Sequence, residues 1–205
     1  ALHAITLYVS ALMEVKSSMG TIVAAPTAGS CGTFPGAVLG LADTQELGEE
    51  DIIKALLTGS LVGLFIAGDA TFSAEVGGCQ AECGAGSGMA AAALVFLLGG
   101  SLEQSMSAAS MALQNSLGMI CDPIAARVEA PCLGKNISSA ANALTSANLA
   151  MSGYDHLIPL DEVIETMDRV GKSLPRELRC TALGGLAITP TAKELEERLR
   201  RGNSN

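Results

Sequence analysis

Leu2, Ile5, Val9, Leu12, Met13 and Val15 recur at helical spacing, which predicts an amphipathic helix over residues 1–19 that stops near Gly20. The next segment, TIVAAPTAGSCGTFPG (21–36), breaks the pattern with prolines, glycines and serines and reads as an irregular loop around Cys31. Acids then open GEEDIIKALLTGSLVGLFIAG, as the macrodipole favours at a helix N-terminus, and the run stays apolar on all sides to Gly68, which predicts a central helix. A flexible, glycine-rich stretch over 75–90 leads into an alanine-rich helix of about 87–98. Ser101 and Gln104 form a capping box for a helix running to about 119. A second loop, CDPIAARVEAPCLGKN (121–136), precedes helices over 137–151 and over 161–170, the latter closed by Gly171. Residues 181–190 read as an extended connector. Thr191 and Glu194 form another capping box, and Glu194/Arg198, Glu196/Arg200 and Glu197/Arg201 give the last helix a solvated, ion-paired face before the tail GNSN. No segment alternates with period two, so the expected class is all-α: a compact bundle of about seven helices with two cysteine-bearing loops.

Composition sharpens this picture. The 205 residues suit one domain, 1–205, and a sequence 49% hydrophobic but 3% aromatic must build its core from Ala, Leu, Ile, Val and Met. Residues 83–102 carry no charge, about the length of a membrane span. Yet seven of the twenty are Gly or Ser, the apolar block Met89–Leu98 is short, and no basic or aromatic belt flanks it, so a buried helix and no membrane partner are expected. The net charge is −9 and the seven arginines form no stripe with interleaved aromatics, which argues against nucleic acid. With no signal peptide in view and a size that needs no disulfide staples, the six cysteines point to a reducing cytoplasm. A sequence opening ALHAITLYVS without Met is expected to be a piece of a longer chain.

Thiols are the candidate chemistry. Cys79 and Cys83 lie near one helix start, and Cys121 and Cys132 bracket a proline-containing loop. Thiolates hold both structural zinc and iron–sulfur clusters, but Cys121-x10-Cys132 lacks the zinc-knuckle spacing, and buried free cysteine also serves as a small hydrophobe. Spacing alone leaves these readings open.

Taken in order, APTAGSCG (25–32), EVGGCQAE (75–82), CDP (121–123), APCLGKN (130–136) and LGGLAIT (183–189) resemble the α chain of the bacterial iron–sulfur-dependent L-serine dehydratases, over about residues 15–192. The resemblance implies that Cys79, Cys121 and Cys132 carry a [4Fe-4S] cluster, with no pyridoxal phosphate, and that Cys83 has no ligand role; Cys31 and Cys180 are read as packed thiols. Three thiolates leave one iron open, a Lewis acid for the β-hydroxyl expelled as L-serine becomes pyruvate and ammonia. The glycines around Cys79 are expected to let the backbone approach the cluster closely. The family also implies a β chain or β domain and an N-terminal part of the α portion, both outside this sequence, and a homo-oligomer is a further expected partner state.

Other roles stay open. Thr27 and Ser30, with the backbone N–H groups of PTAGSCG, form either a cradle for the substrate carboxylate or a glycine-rich turn without a ligand. Lys135 and Asn136 either bind carboxylate or cluster sulfur, or serve as a surface lysine and the cap of the helix from 137. Glu82 is either a general base or a hydrogen-bonded group behind the ligands. His3 and His156 lie beside no cysteine motif, so the catalytic base is unassigned. Against the enzyme stand a helical interaction subunit with structural cysteines and, among enzymes, an iron–sulfur cysteine desulfidase. A pyridoxal phosphate dehydratase would need a parallel α/β framework that the pattern does not offer.

Overall fold

The computed structural model describes residues 1–125, 127 and 130–202, and among these it contains no strand, only two isolated β-bridges. The fold is all-α. Ala126, Val128 and Glu129 of the second expected loop and residues 203–205 of the tail lie outside the described residues.

The centre of the bundle is α5 (Ala85–Leu97), whose residues from Ala85 to Val95 are all buried. Five of these eleven are alanine and two are glycine, so neighbouring helices approach on every side. Around α5 pack α2 (Thr33–Thr44), α3 (Glu49–Asp69), α6 (Leu102–Gln114) and α7 (Cys132–Met151), while α1 (Leu2–Ser17) lies on α2 and α7. The expected central helix, α3, is instead peripheral. It buries the small face Ala55, Gly59, Val62, Gly63 and Ile66 and leaves Leu57, Leu61, Leu64 and Phe65 at least half exposed. A Cβ on Gly59 would stand 2.6 Å from the Met89 carbonyl of α5. Closeness of approach, rather than apolarity, decides which face goes in. Among the described residues α3 is also the one helix long and apolar enough to cross a membrane; the run 83–102 is cut by turns into a buried thirteen-residue helix.

Local signals hold where they are strong. Both reciprocal hydrogen bonds of the Ser101–Gln104 capping box are present, although α6 ends at Gln114 rather than near 119. At α9 (Pro190–Gly202), the Ala192 N–H donates to Thr189 Oγ1 at 3.3 Å, which puts the cap two residues before the expected Thr191 and makes Pro190 the first helical residue, where its missing N–H costs nothing. Glu196 and Glu197 pair with Arg200 and Arg201 as expected. Three further expectations are corrected. Residues 33–36 belong to α2, since Pro35 sits in a first turn that does not need its N–H. Residues 181–190 hold a 3-10 turn (Gly185–Ile188) rather than an extended connector. Gly171 lies inside α8 (Leu160–Ser173) and closes nothing; a Cβ there would stand 2.7 Å from Gly77 of the short helix α4 (Ala74–Gly77).

Candidate functional site

The stretch expected to be flexible is a wound, buried element. After α4, Gln80–Gly84 forms a single π turn that runs without interruption into α5. Gln80 fixes it from both ends, donating to the Met167 carbonyl of α8 at 2.7 Å and accepting from the Gly118 N–H at 2.9 Å. Such turns place successive side chains off the α-helical phase, and here Cys79 and Cys83, at its two edges, are both buried and in contact. Gly78 has φ +73°, and a Cβ on it would stand 2.8 Å from the Met119 carbonyl. The glycine is therefore required for packing against the 119–120 segment.

The second thiol arrives on that neighbouring segment. The Cys121 N–H donates to the Leu178 carbonyl at 2.9 Å and its own carbonyl accepts from the Cys180 N–H at 3.0 Å, which ties the segment to the chain after α8. The third, Cys132, is the first residue of α7, so the loop expected to reach 136 ends at Pro131. Cys79, Cys121 and Cys132 are all buried and meet at one cavity of about 240 Å³, also lined by Lys16, Ala28, Gly29, Glu75, Glu82, Cys83 and Cys180. All six cysteines are free. The thiols of Cys121, Cys132 and Cys83 turn towards Cys79 and push its pKa down, with Lys135 adding to the effect, while that same hydrogen bonding and burial push the other three up.

Lys135, expected either at the surface or on a ligand, does something else. Its Nζ donates to Asp122 Oδ1 at 2.6 Å and to the Ile120 carbonyl at 2.7 Å and lies 4.0 Å from Cys79 Sγ. Burial lowers its pKa, but the hydrogen bond and charge of Asp122 and the charge of Cys79 outweigh that and leave it raised. Asp122, only 4% exposed, also accepts from the Leu186 N–H at 3.0 Å, so the LGGLAIT segment is anchored behind the thiols. Asn136 caps nothing, since it lies one turn inside α7. Its Oδ1 accepts from the N–H and hydroxyl of Thr33 at 3.1 and 2.8 Å, and its Nδ2 donates to the carbonyls of Gly29 and Cys132, both at 2.9 Å.

The PTAGSCG loop is closed by its own side chains. Thr27 Oγ1 donates to Glu82 Oε2 at 2.6 Å and lies 3.1 Å from the hydroxyl of fully buried Ser30, whose N–H points at the same oxygen from 3.3 Å. A Cβ on Gly29 would collide with the Glu82 carboxylate. Burial raises the Glu82 pKa, opposed by the Thr27 hydrogen bond and helped by the charges of Cys79 and Glu75. Of the expected site residues, then, the three cysteines face one cavity with Glu82 among them, and Thr27, Lys135 and Asn136 spend their hydrogen bonds on the protein. Cys31 is a packed thiol, 3.9 Å from Met13 Sδ. Cys180 is not fully packed: it is partly exposed and lines the cavity against Cys121. Lys16 was not singled out by sequence reasoning, although it follows Ile5, Val9 and Met13 at helical spacing on the buried face of α1.

Comparison with known proteins places this arrangement. The family described as serine dehydratase alpha chain matches residues 2–187. A probable L-serine dehydratase alpha chain of Bacillus subtilis is 46% identical over 189 residues, covering 92% of this chain and 63% of the relative. One from Latilactobacillus sakei is 47% identical over 183 residues, covering 89% and 88%, and the L-serine dehydratase alpha chain of Peptoniphilus asaccharolyticus is 47% identical over 182 residues, covering 89% and 62%. The chain thus spans less than two thirds of the length of the Bacillus and Peptoniphilus relatives. With nearly its whole length matched in motif order and in identity, the chain belongs to the serine dehydratase alpha chain family.

Proposed function

We propose that this chain dehydrates L-serine to pyruvate and ammonia as the α portion of an iron–sulfur L-serine dehydratase, with Cys79, Cys121 and Cys132 as the ligands of a [4Fe-4S] cluster. The observation that carries the reading is the convergence of three thiols, from three separate segments, on one buried cavity. The donor set suits the group, because such clusters are held by thiolates. Among the described residues no three Cys, His, Asp or Glu side chains are gathered as for a single ion; cluster ligands bind separate irons and need to share a cavity, not one coordination sphere. When bound through three thiolates, the cluster supplies an iron with an open position, a Lewis acid for the departing hydroxyl.

The chain's own groups do the rest. Thr27 fixes the Glu82 carboxylate at the cavity, where burial makes it a better proton acceptor than an exposed glutamate. Asp122 and the Ile120 carbonyl hold the Lys135 ammonium beside Cys79, a fixed cation that favours the thiolate form of that ligand. Ala28 and Gly29 wall the cavity with small groups that leave room for a three-carbon substrate. An alpha chain implies a partner, and a β chain or domain of the same enzyme is proposed to complete the site. A reducing compartment, which keeps the six thiols free, belongs to the same reading.

The test is anaerobic loading with iron and sulfide, followed by titration with L-serine and D-serine. A brown chromophore perturbed by the L-isomer alone supports the proposal; no chromophore would return the chain to an interaction subunit. Cys79→Ser, Cys121→Ser and Cys132→Ser should each lose most of the bound iron while Cys83→Ser keeps it. Loss in Cys83→Ser with retention in Cys132→Ser would overturn the ligand assignment.

A further inference from the structure

Among the described residues four buried side-chain polar atoms have no hydrogen-bond partner in the protein: Lys16 Nζ, Ser139 Oγ, Ser146 Oγ and Arg179 Nε. Lys16 is the one of these that lines the cavity of the thiols, and it is the one cation among the residues that line it. A lysine in the last turn of a helix is favoured by the macrodipole, but that effect operates at the surface and gives no reason to bury the ammonium. Desolvating an unpaired ammonium is costly, and such a cost persists where function requires it. The residue is half-buried, with its Nζ shielded from solvent, at the end of the buried stripe of α1. Ile5, Val9 and Met13 precede Lys16 at spacings of four, four and three, so an apolar side chain would continue the stripe.

The other side chains proposed for a substrate carboxylate are engaged: Lys135 with Asp122 and Ile120, Asn136 with Thr33, Gly29 and Cys132, Thr27 with Glu82, and Ser30 with Thr27. The cavity also carries two acids, Glu75 and Glu82, so it presents both signs of charge. A zwitterion of amino-acid size matches that pattern, with its carboxylate on the cation and its ammonium towards the acids. Resting on the serine reading above, we infer that Lys16 is the residue that binds the α-carboxylate of the amino-acid substrate, by a charge-assisted hydrogen bond from its Nζ.

The test compares Lys16→Met, Lys16→Gln and Lys16→Arg with the wild type in iron- and sulfide-loaded protein. Equilibrium binding is measured for L-serine and for L-serinamide, in which an uncharged amide replaces the carboxylate. Affinity for L-serine should fall roughly 10- to 100-fold in Lys16→Met and Lys16→Gln, as expected for loss of one charge-assisted bond, with partial recovery in Lys16→Arg. Affinity for L-serinamide, iron and sulfide content, and the visible spectrum should not change. Lys16→Met should also resist urea at least as well as the wild type, because it removes a buried charge and continues the apolar stripe. Equal losses for both ligands, or destabilisation of Lys16→Met, would make Lys16 structural and overturn the inference. Loss of iron in these variants would make it a counter-charge to the thiolates and overturn it too. A loaded wild type that bound neither ligand would instead overturn the serine reading, and the Lys16 assignment with it.

Discussion

Asn136 shows how much one side chain can hold. It uses both amide hydrogens and its carbonyl oxygen to join α7 to the first turn of α2, to Gly29 of the Thr27 loop and to Cys132. It is fully buried, so truncation strands several polar groups away from water at about 1–3 kcal/mol each. Asn136→Ala should therefore lose roughly 3 kcal/mol or more in urea unfolding. Asn136→Asp should also be destabilised despite its near-identical shape, because a carboxylate cannot donate to the Gly29 and Cys132 carbonyls. Lys135 differs from Asn136 in that its partners include a second charge, and both residues fall in APCLGKN. A sequence does not state whom a side chain bonds, and their partners come from residues as far away as Gly29 and Asp122. Lys16 was illegible for a related reason: its spacing places it on the inner face of α1, while its chemistry places it outside.

At the scale of elements, the helices legible in the sequence were those whose signals are local. The spacing on α1 and the capping box of α6 need no knowledge of neighbours. The first turn of α2 was read as loop because Pro35 and Gly36 look like loop residues, and Gly40 weakens the helical pattern further on. They are instead what the contact with α1 demands. A Cβ on Gly36 would stand 2.6 Å from Val9 Cγ2 and 2.9 Å from its Cα, and one on Gly40 would stand 2.5 Å from Ile5 Cα. Alanine is the better helix former by nearly 1 kcal/mol. Here the collision with backbone wins, so Gly40→Ala should destabilise by roughly 1–3 kcal/mol in thermal or urea unfolding, and Gly36→Ala by somewhat less. The exchange of roles between α3 and α5 has the same origin. Hydrophobicity ranked both as core helices, and the sizes of the side chains on their faces separated them.

For the molecule as a whole, the site is a meeting of distant segments. The thiols come from residues 79, 121 and 132, their supports from the Thr27 loop, α8 and the LGGLAIT segment. A group bound by all three thiols would tie these pieces together, so loading with iron and sulfide should raise the thermal unfolding midpoint, and stripping by a chelator should lower it towards that of Cys121→Ser. An unchanged midpoint despite stoichiometric loading would mean that the segments are already held rigidly without it. The single π turn at Gln80–Gly84 bears on this assembly through chain length. It is the geometry left when one extra residue is accommodated in an α-helix, and removing one residue between Ala81 and Gly84 would return the segment to an ordinary helical count. A five-residue π turn covers nearly the same rotation and rise as the α turn that would replace it, so Cys79 and the chain before it would keep their place while the wall of the cavity at Glu82 and Cys83 lost one residue. A single-codon deletion there should spare both the core beyond Ala85 and the Cys79 ligand while removing one residue from the cavity wall, so iron content retained with substrate binding altered would separate the holding of the cofactor from the shape of the space beside it.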